Sequence, residues 1–172
     1  PHDVYGLAKL MGGKKPFIDK LQMVFDEGLY DPANEPDIAY PHLFSYFKGE
    51  EWRTQKETQR LLDKYFTTKP DGIPGNDDTG TMSSWAIFNM IGFYPDCPGL
   101  PEYTLTTPVF DKVIIRLDPK WYKEKELVIE TNRTQPGTQY INKVLLNGKK
   151  FNKYHITHDE LVHGQRIFFD LK

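Results

Sequence analysis

The residues of this chain best suited to chemistry sit in one short stretch, Pro70-Asp71-Gly72-Ile73-Pro74-Gly75-Asn76-Asp77-Asp78-Thr79-Gly80-Thr81. Two prolines and three glycines make it a stiff turn that is neither helix nor strand. Asn76, Asp77 and Asp78 stand at its tip, directly before the apolar helical run Met82 to Ile91. Carboxylates held by rigid backbone beside a buried helix suit general-base or cation-binding chemistry. The same spacing has a structural reading, in which the acids favour the positive end of the following helix and Thr79 or Thr81 is its N-cap.

A second group is Asn34-Glu35-Pro36-Asp37. Its carboxylate and amide oxygens are hard donors suited to Ca²⁺, and Pro36 stiffens the loop. Asp37 as a helix cap and Glu35 as a solvated acid is the alternative. Trp52 and Gln55 could line a sugar subsite by ring stacking and amide hydrogen bonds, or simply pack. His42 reads as a core histidine, and His155, His158 and His163 as surface residues without zinc-site spacing. Cys97, the single cysteine, has no evident base and allows no intrachain disulfide.

These groups need elements to position them, and the pattern of the 172 residues changes along the chain. In the first half, helical periodicity appears at Val4, Leu7, Ala8 and Met11, and again at Phe17, Leu21, Val24 and Phe25. A third helix carries Leu43, Tyr46 and Phe47 with Pro41 in its first turn. A fourth runs from Glu50 to about Phe66, and a fifth from Met82 to Phe93. The second half alternates with period two over Val113–Leu117, Leu127–Glu130, Val144–Leu146 and Ile167–Leu171, and Asn147-Gly148 is a type I′ hairpin dipeptide. The expected architecture is α+β, with helices over 1–98 and a small antiparallel, sandwich-like β unit over 99–172. Charge divides in the same way: residues 1–99 hold 10 Lys+Arg against 15 Asp+Glu, and residues 100–172 hold 12 against 9. The net charge of −2 leaves no basic excess to suggest nucleic-acid binding, and no apolar run is long enough to span a membrane. The acidic half suits a cation or a neutral polar substrate.

Several blocks taken in order resemble glycoside hydrolase family 92. They are His2-Asp3-Val4 with Gly6-Leu7 and Gly12-Gly13, then Asn34-Glu35-Pro36, then Trp52 with Thr54-Gln55, then Asp71 to Gly80 with Met82-Ser83, Trp85 and Gly92-Phe93-Tyr94-Pro95. The match continues through Tyr103, Pro108 and Phe110-Asp111-Lys112-Val113, and Asn147-Gly148 and Thr157-His158-Asp159 extend it. The resemblance implies an exo-acting α-mannosidase, often α-1,2-specific, that inverts the anomeric centre and requires Ca²⁺. It implies an (α/α)₆ toroid closed by a small β unit, of which five helices would be an incomplete part. Among site residues it implies Asp78 as the general base, with Asp77 as its catalytic support or a cation contact. It also implies Asn76 and Glu35 near the substrate and Asn34 and Glu35 near the metal. The resemblance places the proton donor upstream of Pro1, so the chain is expected to be the C-terminal piece of a longer enzyme that is inactive without its N-terminal part. It further implies a mannose-containing glycan as substrate and a bacterial periplasmic, secreted or cell-surface location. Two other readings stay open at this point: a non-catalytic calcium or carbohydrate-binding module, and a structural interaction domain.

Overall fold

The computed structural model describes residues 2–33, 35–135 and 137–172. The chain is α+β and divides into two compact units, Pro1–Ile87 with Asp96–Pro98 and Phe88–Pro95 with Gly99–Lys172.

The first unit opens with α1 (Val4–Leu10) and α2 (Lys14–Asp26). Asp3 caps α1, its Oδ1 accepting from the Gly6 N–H at 2.7 Å, the N-cap arrangement that satisfies an otherwise orphaned helix amide. Phe17, Ile18, Leu21 and Phe25 form the buried stripe of α2. The expected third α-helix is instead a 3₁₀ segment, Glu35–Tyr46, with Pro41 in its interior. Pro36 and Pro41 lack the N–H that an α-helix would use, and a 3₁₀ path tolerates their spacing. The segment also starts earlier than the sequence pattern indicates. Glu35 and Asp37 therefore lie in its first turn, and Asp37 is not the cap before it.

Helix α3 (Glu51–Tyr65) buries Thr54, Gln55, Glu57, Thr58, Leu61 and Leu62. A carboxylate as deeply buried as Glu57 needs partners. It has them in Arg60 Nε at 2.6 Å, Lys56 Nζ at 3.4 Å and Gln22 Nε2 at 3.1 Å, the last tying α3 to α2. Helix α4 (Thr81–Ile91) follows the Asp71–Gly80 turn. Its Trp85 is buried, stacks on Phe66 with ring centroids 5.4 Å apart, and donates from Nε1 to the Ile38 carbonyl at 3.0 Å. That bond fixes α4 to the 3₁₀ segment. His42, fully buried, meets the Trp85 ring edge-on at 6.1 Å, the core position its sequence context suggested.

The second unit contains a three-stranded sheet, β1 (Phe93–Tyr94), β2 (Glu102–Leu105) and β7 (His155–Thr157), in the order β1-β2-β7. Its five-stranded sheet has the order β3-β4-β8-β5-β6, from β3 (Lys112–Arg116), β4 (Glu126–Arg133), β5 (Ile141–Leu146), β6 (Lys149–Phe151) and β8 (Arg166–Leu171). The expectation of a purely antiparallel unit is corrected here, because β4 and β8 pair in parallel. The hairpin β5–β6, strand β7 and α5 (His158–His163) all intervene between them, enough chain for a crossover connection. Alternate residues Ile167, Phe169 and Leu171 of β8 face a core shared with Leu127 and Ile129 of β4 and with Phe93, Leu105 and Ile156 of the smaller sheet. Phe88 and Ile91 at the end of α4 pack against the same core, so that end of the helix groups with the strands. Asn147 and Gly148 turn β5 into β6 with φ of 50° and 76°, the paired positive values of a type I′ turn.

Candidate active site

The Asp71–Gly80 turn is held from both ends. Thr67 N–H donates to the Gly72 carbonyl at 2.8 Å and Gly72 N–H to Lys69 at 3.0 Å. A side chain at Gly72 would collide with the Thr67 carbonyl, since a Cβ there would lie 2.2 Å from its oxygen. At the tip, Asp78, Thr79 and Gly80 have φ of 46°, 60° and 91°. Aspartate visits this left-handed region more readily than most residues, whereas a β-branched threonine there is an outlier. Two consecutive non-glycine residues in such backbone persist only where their surroundings hold them, and such strain concentrates at functional sites.

The two neighbouring aspartates are used differently. Asp77 Oδ1 accepts from the Ser83 N–H at 2.8 Å, and the Asp77 carbonyl accepts from Met82 N–H at 3.2 Å. Asp77 thus satisfies the first turn of α4, a contact of about 0.5–2 kcal/mol that the helix dipole reinforces. Neither expected cap, Thr79 or Thr81, fills that position. The Thr81 hydroxyl instead donates to the Asp78 carbonyl at 2.8 Å. Asp78 is half-buried, and no hydrogen bond or ion pair engages its carboxylate among the described residues. Asn76 is exposed.

This turn touches the other acidic loop. Gly75, at φ 66°, lies so close to Ala33 that a Cβ built on it would stand 2.7 Å from the Ala33 Cβ. The stretch before the 3₁₀ segment therefore runs beside the Asn76–Asp78 tip. Glu35 is exposed, and Asn34 lies outside the described residues. The loop's other acids hold it in shape: Asp31 Oδ1 accepts from Ala33 N–H at 3.0 Å and Asp37 Oδ2 from Asp31 N–H at 3.1 Å. Burial, and then the charge of Asp37, push the Tyr40 hydroxyl above the ordinary tyrosine range.

Calcium takes six to eight oxygen ligands. Among the described residues no three His, Cys, Asp or Glu side chains converge to hold a metal ion. Among the described residues the donors here are of the right type and too few. A groove of about 920 Å³ includes Asp3, Leu7, Leu10, Pro36 and Tyr40 in its wall, which is mainly apolar and includes neither Asp77 nor Asp78.

Trp52 is 41% exposed with the Arg53 guanidinium 4.6 Å from its ring, whereas Gln55 is 2% exposed. The indole can meet a solute, and the amide faces the interior. In the second unit His163 is exposed as expected, but His155 and His158 are half-buried. His158 stands between two tyrosines, 2.9 Å from Tyr103 Oη and 3.2 Å from Tyr122 Oη. The signal for this order was present in sequence as Thr157-x-x-Glu160 before Leu161-Val162, a capping box that forms as written.

Comparison with known proteins gives a consistent result. The model of the glycosyl hydrolase family 92 catalytic domain matches residues 1–172. An uncharacterized secreted glycosidase of Arthroderma benhamiae is 30% identical over 164 residues, 95% of this chain and 21% of that protein. The structure of a family GH92 α-mannosidase from Bacteroides thetaiotaomicron superposes with a TM-score of 0.84 and 31% identity, covering 93% of this chain and 22% of that one. A family GH92 inverting mannosidase from the same organism gives 0.85 and 31%, over 99% and 26%. The chain thus spans about a fifth to a quarter of the length of these relatives. No helix among the described residues is long and apolar enough to cross a membrane.

Proposed function

This chain belongs to glycosyl hydrolase family 92, and on that premise we propose that it carries the water-activating side of the active site of an exo-acting α-mannosidase. The reading rests above all on Asp78, a half-buried carboxylate without a partner among the described residues, borne on a left-handed turn beside the Ala33 loop. Mannose as the sugar released is supported by the names of the two Bacteroides relatives, an α-mannosidase and an inverting mannosidase, and inversion by that of the second.

In the proposed reaction the Asp78 carboxylate takes a proton from water as its oxygen attacks the anomeric carbon. A protonated carboxyl group about 6.5–9.5 Å away gives its proton to the departing glycosidic oxygen, leaving the product inverted. That second group is supplied from outside these 172 residues, in helices that would complete an (α/α)₆ toroid with those of the first unit; the second unit is read as β-sandwich-like. Asn76, Glu35 and the exposed face of Trp52 would border the sugar, with an α-1,2 linkage as the favoured substrate. Ca²⁺, if held, would draw on Asn34 and Glu35 with further oxygens from elsewhere in the protein, and would supply Lewis-acid contact to sugar hydroxyls. A secreted glycosidase among the relatives, together with the bacterial source of others, supports a secreted or periplasmic location.

The test is hydrolysis of an α-1,2-linked mannobiose by the full-length protein, followed by proton NMR of the first product formed. Release of β-mannose supports the proposal. Absence of cleavage, or first-formed α-mannose, contradicts it.

A further inference from the structure

Two adjacent aspartates at a glycosidase site invite treatment as a catalytic pair, yet their surroundings differ. We infer that Asp77 is a positioning residue, which ties the strained Asp78 turn to the first turn of α4 through its carboxylate, and that Asp78 alone is presented to the reaction. The inference rests on the reading of Asp78 as the base.

The left-handed backbone at Asp78, Thr79 and Gly80 is not the preferred state of an aspartate followed by a β-branched residue, so something must hold it. The Asp78 carbonyl accepts from Thr81 N–H at 3.2 Å and from Thr81 Oγ1 at 2.8 Å. The Asp77 carbonyl accepts from Met82 N–H at 3.2 Å. These bonds close the turn on its own backbone. Asp77 Oδ1 reaches further, to the Ser83 N–H at 2.8 Å, and closes a ring around residues 78–82. Ser83 belongs to a helix of eleven residues whose Trp85 is bonded to Ile38, so the anchor is itself fixed. One oxygen of Asp77 is thereby committed to a helix amide, where the dipole favours a negative acceptor. Asp78 sits between this anchor and the Thr79–Gly80 bend with its own carboxylate uncommitted among the described residues.

The chemistry of the two positions then separates. Position 77 needs an acceptor of this length and not a proton acceptor in the reaction, so asparagine can serve there. Position 78 needs a basic carboxylate, so asparagine cannot. Loss of the acceptor at 77 frees the turn and displaces Asp78, and a misplacement of about 1 Å costs on the order of 10²-fold in rate.

The test compares D77N, D77A and D78N in the full-length protein, with kcat on an α-mannoside and hydrogen exchange of the Ser83 amide as readouts. D77A is expected to lower kcat about 10²-fold with KM little changed and to speed Ser83 exchange. D77N is expected to recover most of the kcat that D77A loses and to keep Ser83 protected. Equal loss of kcat in D77N and D78N would overturn the inference while leaving the mannosidase reading intact. Unchanged Ser83 exchange in D77A would overturn it as well. If the wild-type protein cleaves no mannoside, the functional reading fails, and Ser83 exchange still decides whether Asp77 holds the turn.

Discussion

Gly75 packs directly on Ala33, with room for no side chain between them: a Cβ on Gly75 would come within 2.7 Å of the Ala33 Cβ. This contact joins two loops more than forty positions apart in sequence and sets the Asn76–Asp78 tip beside the chain leading to Glu35. Gly75 also has φ 66°, which a side chain would strain. Gly75→Ala should therefore destabilise the protein by about 1–3 kcal/mol, seen as a lower urea midpoint, and should depress kcat/KM. Unchanged stability and activity would show that the loop contact does not matter.

Trp52 and Gln55, one turn apart on α3, should respond in opposite ways. Trp52→Ala removes a partly exposed ring and should change stability little while raising KM for mannosides about tenfold, the equivalent of ~1.4 kcal/mol of binding. Gln55→Ala removes a buried amide and should lower stability by about 1–3 kcal/mol. A Trp52→Ala enzyme with unaltered KM would remove the indole from the sugar site.

The α5 cap should be acid-sensitive. Thr157 Oγ1 accepts from the Glu160 N–H at 3.1 Å, and Glu160 accepts from the Thr157 N–H at 3.0 Å. That backbone N–H, then the Lys153 ammonium, hold the Glu160 carboxyl below the ordinary range of 4.5. A folded pKa below the unfolded one gives stability that is present above the unfolded value and lost as pH falls through the folded one. Exchange protection at the Glu160 amide should accordingly fall on acidification below about 4.5, and Glu160→Gln should remove that dependence. Thr157→Ala should cost about 1 kcal/mol, roughly fivefold in protection at neutral pH. A Glu160→Gln protein with the wild-type acid response would refute this assignment.

Local patterning made the helices around Val4, Phe17 and Trp85, the strand alternation and the Asn147-Gly148 hairpin legible in the sequence. The Asp3 cap is local in the same sense, since its partner is three residues away. Features that depend on distant partners were not. The parallel pairing of β4 with β8 joins residues nearly forty positions apart, and no local period reports it. The 3₁₀ path of Glu35–Tyr46 is set by two prolines whose effect reads equally well as one helix start. At the site, the acidic tip was evident from residue types, but the commitment of Asp77 to an amide six positions ahead was not. It depends on a left-handed turn that Asp and Thr do not advertise.

The most direct measurement is kcat of Asp78→Asn in the full-length protein on an α-mannoside, taken beside its unfolding midpoint. Loss of a general base predicts a fall of roughly 10²–10⁴-fold with the midpoint unchanged. A variant that turns over like the wild type would contradict the assignment of Asp78 as the group that activates water.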